Sequence, residues 1–85
     1  MAEQVHELKT IDRYFDAVER GDKTFEVRRN DRAFQTGDLL VLVRIEEGFT
    51  ALRTGETLKK RVTYLLQGGQ FGIEPGYCVL GLGEP

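Results

Sequence analysis

The chain has 85 residues, 40% hydrophobic and 31% charged, with 12 Lys and Arg against 14 Asp and Glu for a net charge of −2. That length supports one hydrophobic core, so residues 1–85 are expected to form a single domain of modest stability. The charge balance excludes the uniformly basic coat of a non-specific duplex binder, while a local basic patch stays open.

The N-terminal MAEQVHELKT contains no apolar signal region, and no apolar run approaches the ~20 residues of a membrane span. A cytoplasmic protein with no membrane contact is therefore expected. Val5 to Lys9 reads as a short strand, Val5 and Glu7 alternating against His6 and Leu8. His6 is the only histidine and is expected to be a structural hydrogen-bonder. Thr10 or Asp12 can cap the helix that follows. Ile11, Tyr14, Phe15 and Val18 recur at helical spacing, and Gly21 stands where a left-handed residue would end the helix. Tyr14 and Phe15 are expected in the core.

Gly21-Asp-Lys-Thr-Phe-Glu-Val-Arg28 is the most informative segment, because it sets three charges on a strand. Alternation places Phe25 and Val27 on one face and Thr24, Glu26 and Arg28 on the other. Lys23 reaches the mouth of the charged face from the turn at Gly21. An ammonium, a carboxylate and a guanidinium on a rigid element form either a site for a polar ligand or a solvated ion pair. A buried Glu26–Arg28 pair that only fixes the fold is a third reading.

Asn30-Asp31-Arg32 and Gln35-Thr36-Gly37-Asp38 are turns. Leu39 to Ile45 is nearly all apolar and reads as a strand buried on both faces. Phe49 to Arg53 is a weaker strand, and Thr54-Gly55-Glu56 a bend or bulge. In Thr57 to Leu66, the residues Leu58, Val62, Tyr64 and Leu66 alternate against Thr57, Lys59, Arg61 and Thr63. The glycines from Gly68 to Gly72 lack the spacing of a nucleotide phosphate loop. Tyr77 to Leu82 is the last strand. Cys78 within it is the single cysteine, which excludes an intramolecular disulfide and a cysteine-based zinc site and suits a buried small hydrophobe. No cofactor and no metal are expected, since the carboxylates lack ligand spacing. Five to six short strands and one early helix describe an α+β domain, a small mixed sheet curled into a partial barrel.

The motif Gly21-x-Lys23-x-x-Glu26-x-Arg28, between an amphipathic helix and the Gly37-Asp38 turn, resembles the ASCH domains of the PUA-like superfold. His6-Glu7-Leu8-Lys9, Lys23 to Arg28, Asn30-Asp31-Arg32-x-Phe34, Gly37-Asp38 and Gly76-Tyr77-Cys78-Val79-Leu80-Gly81 resemble, more closely, an ASCH-like family of small bacterial and phage proteins. The likeness runs through the whole chain. It implies a β-barrel of five to six strands with a helix near its opening and a cleft beside the motif strand, lined by Lys23, Glu26 and Arg28, joined by Lys9. It also implies RNA as partner, since PUA-like domains commonly bind RNA.

In that setting Lys9 and Lys23 would act as compact charges on phosphate, and Arg28 would pair bidentately with phosphate or a base edge. Glu26 would accept from an exocyclic amine. Arg28, Arg29, Arg32, Lys59 and Arg61 supply positive groups; Phe34, Phe71 and Tyr77 are rings expected mainly in the core or plugging loops. The leading expectation is an RNA- or nucleotide-binding module with Lys9, Lys23, Glu26, Arg28 and Arg32 at the ligand. Some ASCH-like relatives are amidohydrolases on N4-acetylcytidine, with a threonine three residues after the lysine where this chain has Glu26; Thr24 stands at a different spacing. Others are ribonucleases, for which Lys23 and Glu26 would be the catalytic pair and His6 an acid or base. A protein-interaction module with a protein partner is the third alternative, favoured by an exposed apolar patch at Phe34 or Phe71.

Overall fold

The computed structural model describes residues 3–48 and 53–85. Its elements are β1 (Val5–Ile11), α1 (Asp12–Arg20), β2 (Phe25–Arg29), β3 (Leu39–Ile45), β4 (Arg53–Gln67) and β5 (Tyr77–Gly83). The strands form one mixed sheet in the order β1-β3-β4-β5-β2, parallel between β1 and β3 and antiparallel elsewhere. A parallel pair needs a long crossover. Here α1 and β2 provide it, and β2 is carried to the far edge. The sheet curls into a half-barrel, an α+β architecture in which edge strands β1 and β2 face one another.

The core lies between α1 and the concave side of the sheet. Phe15 and Val18 of the helix pack with Leu8, Leu40, Leu42, Val62, Cys78 and Leu80. Each fully buried aliphatic or aromatic side chain contributes about 1.5–3 kcal/mol over its exposed state. Cys78 is buried as a small hydrophobe, and burial pushes its thiol pKa up. Arg44 of β3 anchors the helix, donating to Asp12 Oδ1 at 2.9 Å and Asp16 Oδ1 at 2.5 Å while its guanidinium lies 4.6 Å from the Phe15 ring. Those carboxylates raise the Arg44 pKa above its ordinary value.

Several sequence expectations change in the fold. Strand β1 runs through Thr10 and Ile11, so neither Thr10 nor Asp12 caps α1: the residue before the helix is Ile11, without a side-chain cap. Thr10 Oγ1 donates instead to Leu8 O at 3.3 Å. Gly21 ends the helix as expected, at φ 86° with its N–H turned back to the last turn. Tyr14 is not in the core but exposed. At ~100° per residue it sits ~70° from the centre of the Phe15/Val18 stripe, on the flank.

Strand β3 buries Leu40, Leu42, Val43 and Ile45 but leaves Leu39 and Val41 half-buried, so its outer face is not sealed. Thr54, Gly55 and Glu56 form a bulge inside β4: pairing slips between Val43↔Thr57 and Ile45↔Arg53, with Gly55 at φ 89°. The weaker strand from 49 to 53 falls, except for Arg53, outside the described residues. A second slip between Val62 and Tyr64 inserts one extra residue opposite β5. One added residue reverses facing. Leu65 therefore packs on the core and Tyr64 is exposed, reversing the alternation expected beyond Thr63.

Candidate functional site

The site is the gap between the two edge strands. Leu39 N–H donates to Gln4 O, which fixes the even-numbered residues of β1 as those bonded to β3. The main-chain groups of Glu7, Lys9 and Ile11 therefore point to the free edge. On β2, Leu82 N–H donates to Thr24 O and Asn30 N–H to Gly76 O, so even-numbered residues bond β5. Phe25, Val27 and Arg29 turn their N–H and C=O groups outward. A cavity of about 500 Å³ opens here, lined by Lys9, Thr10 and Ile11 of β1, Tyr14 of α1, Lys23, and Phe25 to Arg28 of β2.

The parity of the motif strand holds, yet its burial is the reverse of an ordinary half-buried strand. Phe25 and Val27 are 44% and 52% exposed, whereas Glu26 is 4% exposed. The buried carboxylate is fully engaged. Lys23 Nζ donates to Glu26 Oε1 at 2.5 Å, and Arg28 Nε donates to Glu26 Oε2 at 3.1 Å. Both cations reach further. Lys23 Nζ donates to Phe25 O at 2.8 Å, and Arg28 Nη2 donates to Lys9 O at 2.8 Å and Thr10 Oγ1 at 3.2 Å. Arg28 thereby crosses the gap and occupies a free-edge carbonyl of β1. The Lys23 ammonium also lies 5.3 Å from the Tyr14 ring centre and 5.2 Å from that of Phe25, within cation–π range.

Lys9, Lys23, Glu26 and Arg28 thus line one cavity. The ammonium of Lys9 is exposed and in no ion pair among the described residues. Arg32 is elsewhere: its Nη1 donates to Glu7 O at 2.6 Å, one step further along the same free edge, and it does not line the cavity. Thr10, Ile11 and Tyr14 also line the cavity, beyond the residues expected there from the sequence. Tyr14 carries a signal, its place on the flank of the helical stripe. Thr10 and Ile11 carry none, because by local pattern they read as a cap and as part of the helical stripe.

Other candidates lie outside. His6 is buried, Nε2 at 2.9 Å from Asp38 Oδ2 and its ring 4.7 Å from that of Phe34 in an edge-to-face pair. It is a structural hydrogen-bonder, as expected. Phe34 is buried, Tyr77 half-buried, and Phe71 84% exposed on its loop, neither core nor plug. Arg61 is held by Glu3 and Gly37 O. Thr24 is exposed and does not line the cavity. Two cavity-lining residues carry a side-chain hydroxyl, Thr10 and Tyr14, and Thr10 Oγ1 bonds to a carbonyl and a guanidinium. No cavity-lining hydroxyl among the described residues bonds a carboxylate or an imidazole, the pairing that covalent catalysis uses. No group of three or more His, Cys, Asp or Glu among the described residues is placed to hold a metal ion, and no described helix is long and apolar enough to cross a membrane.

The lining includes three cationic residues and one carboxylate residue, with Lys23 and Arg28 ion-paired to Glu26, beside Ile11, Tyr14, Phe25 and Val27. Comparison with known proteins gives the chain a family. The model of a domain of unknown function, DUF3850, matches residues 5–82, and the chain belongs to that family. It is also similar to an uncharacterized 12.9 kDa protein in the GpA 3' region of Escherichia phage P2, at 36% identity over 63 residues, covering 74% of this chain and 55% of the relative. The chain therefore spans about half the length of that relative. Kinship with small phage proteins is met at this level.

Proposed function

We propose that this DUF3850 domain is an RNA- or nucleotide-binding module, built on a PUA-like, ASCH-type barrel, and that the cavity between β1 and β2 takes the ligand. The observation that carries this reading is that Lys9, Lys23 and Arg28 line one cavity together with aromatic and aliphatic residues. Phosphate meets the ammonium groups, and the ring of a base meets Ile11, Tyr14 and Phe25. Glu26 has both oxygens engaged, so its role is positioning: it fixes Lys23 and Arg28 toward the cavity. A cavity of about 500 Å³ falls within the usual range of ~300–1,000 Å³ for compact ligands.

The test is fluorescence anisotropy with short single-stranded RNA at two salt concentrations. Two phosphate contacts to a single strand predict an affinity loss of about sevenfold between ~50 and ~200 mM salt. Lys23→Ala weakens binding further. Absence of binding, or binding indifferent to both salt and Lys23→Ala, refutes the proposal.

A further inference from the structure

The free edge of β2 is only partly covered. On β1, Glu7 O and Lys9 O are taken by Arg32 and Arg28. On β2, Phe25 O is taken by Lys23. Val27 is different: its N–H and C=O point into the cavity by strand parity, and no described residue bonds them. A strand edge that presents a donor and an acceptor side by side, inside a cavity with an apolar wall, is a recognition surface made of main chain.

What can occupy it is limited by the two arginines. An extended peptide or a second copy of the sheet would need the whole length of the gap, yet Arg28 and Arg32 bridge it at Lys9 and Glu7. Past those bridges the cavity of about 500 Å³ extends along Ile11 and Phe25, a short stretch of edge rather than the length a strand needs. A nucleobase is flat and carries a donor next to an acceptor on its pairing edge. We propose that the main chain of Val27 reads the pairing edge of one unpaired nucleobase, which packs against Ile11 and Phe25. This rests on the RNA-or-nucleotide reading of the same cavity and specifies it. Only a base outside a duplex has that edge free, so the ligand is single-stranded, and side-chain identity at Val27 matters less than its N–H.

Proline separates these contributions. An edge strand accepts proline where the N–H points away from its neighbour, because no ladder bond is lost. Val27→Pro therefore keeps the β5 ladder and removes the donor, while Val27→Thr keeps both the donor and the branched shape. Short single-stranded RNA and its matching duplex are titrated against wild type and both variants, with circular dichroism confirming the fold. Expected are binding of the single strand over the duplex, at least about tenfold weaker binding by Val27→Pro, and near wild-type binding by Val27→Thr. In parallel, the Val27 amide signal of the wild-type protein shifts downfield as unlabelled single-stranded RNA is added. That measurement decides the matter if Val27→Pro does not fold. Wild-type binding with an unmoved Val27 amide, or undiminished in a folded Val27→Pro, overturns this inference and leaves the proposed function standing. No wild-type binding of single strand or duplex overturns both.

Discussion

Replacing Glu26 with Gln tests what holds the two edge strands together. The carboxylate is 4% exposed and receives an ammonium at 2.5 Å and a guanidinium at 3.1 Å. Gln keeps the volume and one acceptor oxygen, so one cation retains a neutral hydrogen bond and the other faces an amide donor. Breaking a fully buried pair costs about 3–5 kcal/mol. The cost is smaller here, because the Lys23 and Arg28 side chains stay 19% and 24% exposed and keep carbonyl acceptors. The loss amounts to one hydrogen bond to a charged group, about 1.5–3 kcal/mol. For a domain of this size that lowers Tm by about 5–20 °C. Urea denaturation of wild type, Glu26→Gln, Lys23→Met and the double variant measures it, and the coupling between the two positions should be about 0.5–3 kcal/mol. The effect persists at high salt, where a solvated pair would fade. If Glu26→Gln lies within about 0.5 kcal/mol of wild type, as an ordinary surface substitution does, the carboxylate does not organise the gap.

Two further outcomes follow from the packing. Burial raises the Cys78 thiol above its ordinary value of 9.0 in the folded chain, so the unfolded chain ionises first as pH rises. That contribution to stability is complete below 9.0 and is lost as pH climbs toward the folded value; denaturation midpoints of wild type decline more steeply above pH 9.0 than those of Cys78→Ala, which is less stable at neutral pH. Equal alkaline slopes would contradict it. Arg32→Ala frees Glu7 O on the β1 edge without touching the cavity, so it lowers stability by about 0.5–1.5 kcal/mol in thermal melts and leaves RNA affinity unchanged. A loss of affinity equal to that of Lys23→Ala would place Arg32 at the ligand.

The sequence made individual elements legible and left their arrangement hidden. The helix end at Gly21, the apolar run of β3 and the bulge at Gly55 are each written in a few adjacent residues. Which face of β2 is buried is not. Phe25 and Val27 are the apolar pair, and a local rule would turn them inward. The decisive partners are remote: Thr10 lies 18 residues before Arg28, and β5 pairs with β2 from the far end of the chain. The reversal at Thr63 had a signal in the wrong place. No glycine or proline marks that bulge on β4. Its room comes from β5, where a Cβ on Gly81 would stand 2.8 Å from Thr63 Oγ1 and one on Gly83 2.6 Å from Thr63 Cγ2. Glycines at 81 and 83 are what let the extra residue lie flat.

The inverted burial of β2 has a physical rationale in the unfinished barrel. A half-barrel leaves two free edges, and exposed edges invite pairing with other chains unless charges interrupt them. Charged residues that point inward from an edge strand are one such interruption, and Glu26 and Arg28 both occupy that position. Arg28 and Arg32 then take the β1 carbonyls that a neighbouring strand would have taken. The same charges that deny the edge to another strand line the cavity, so edge protection and the proposed ligand binding draw on one set of atoms. They diverge at two residues: Arg32 guards the edge outside the cavity, and Val27 leaves the edge open within it.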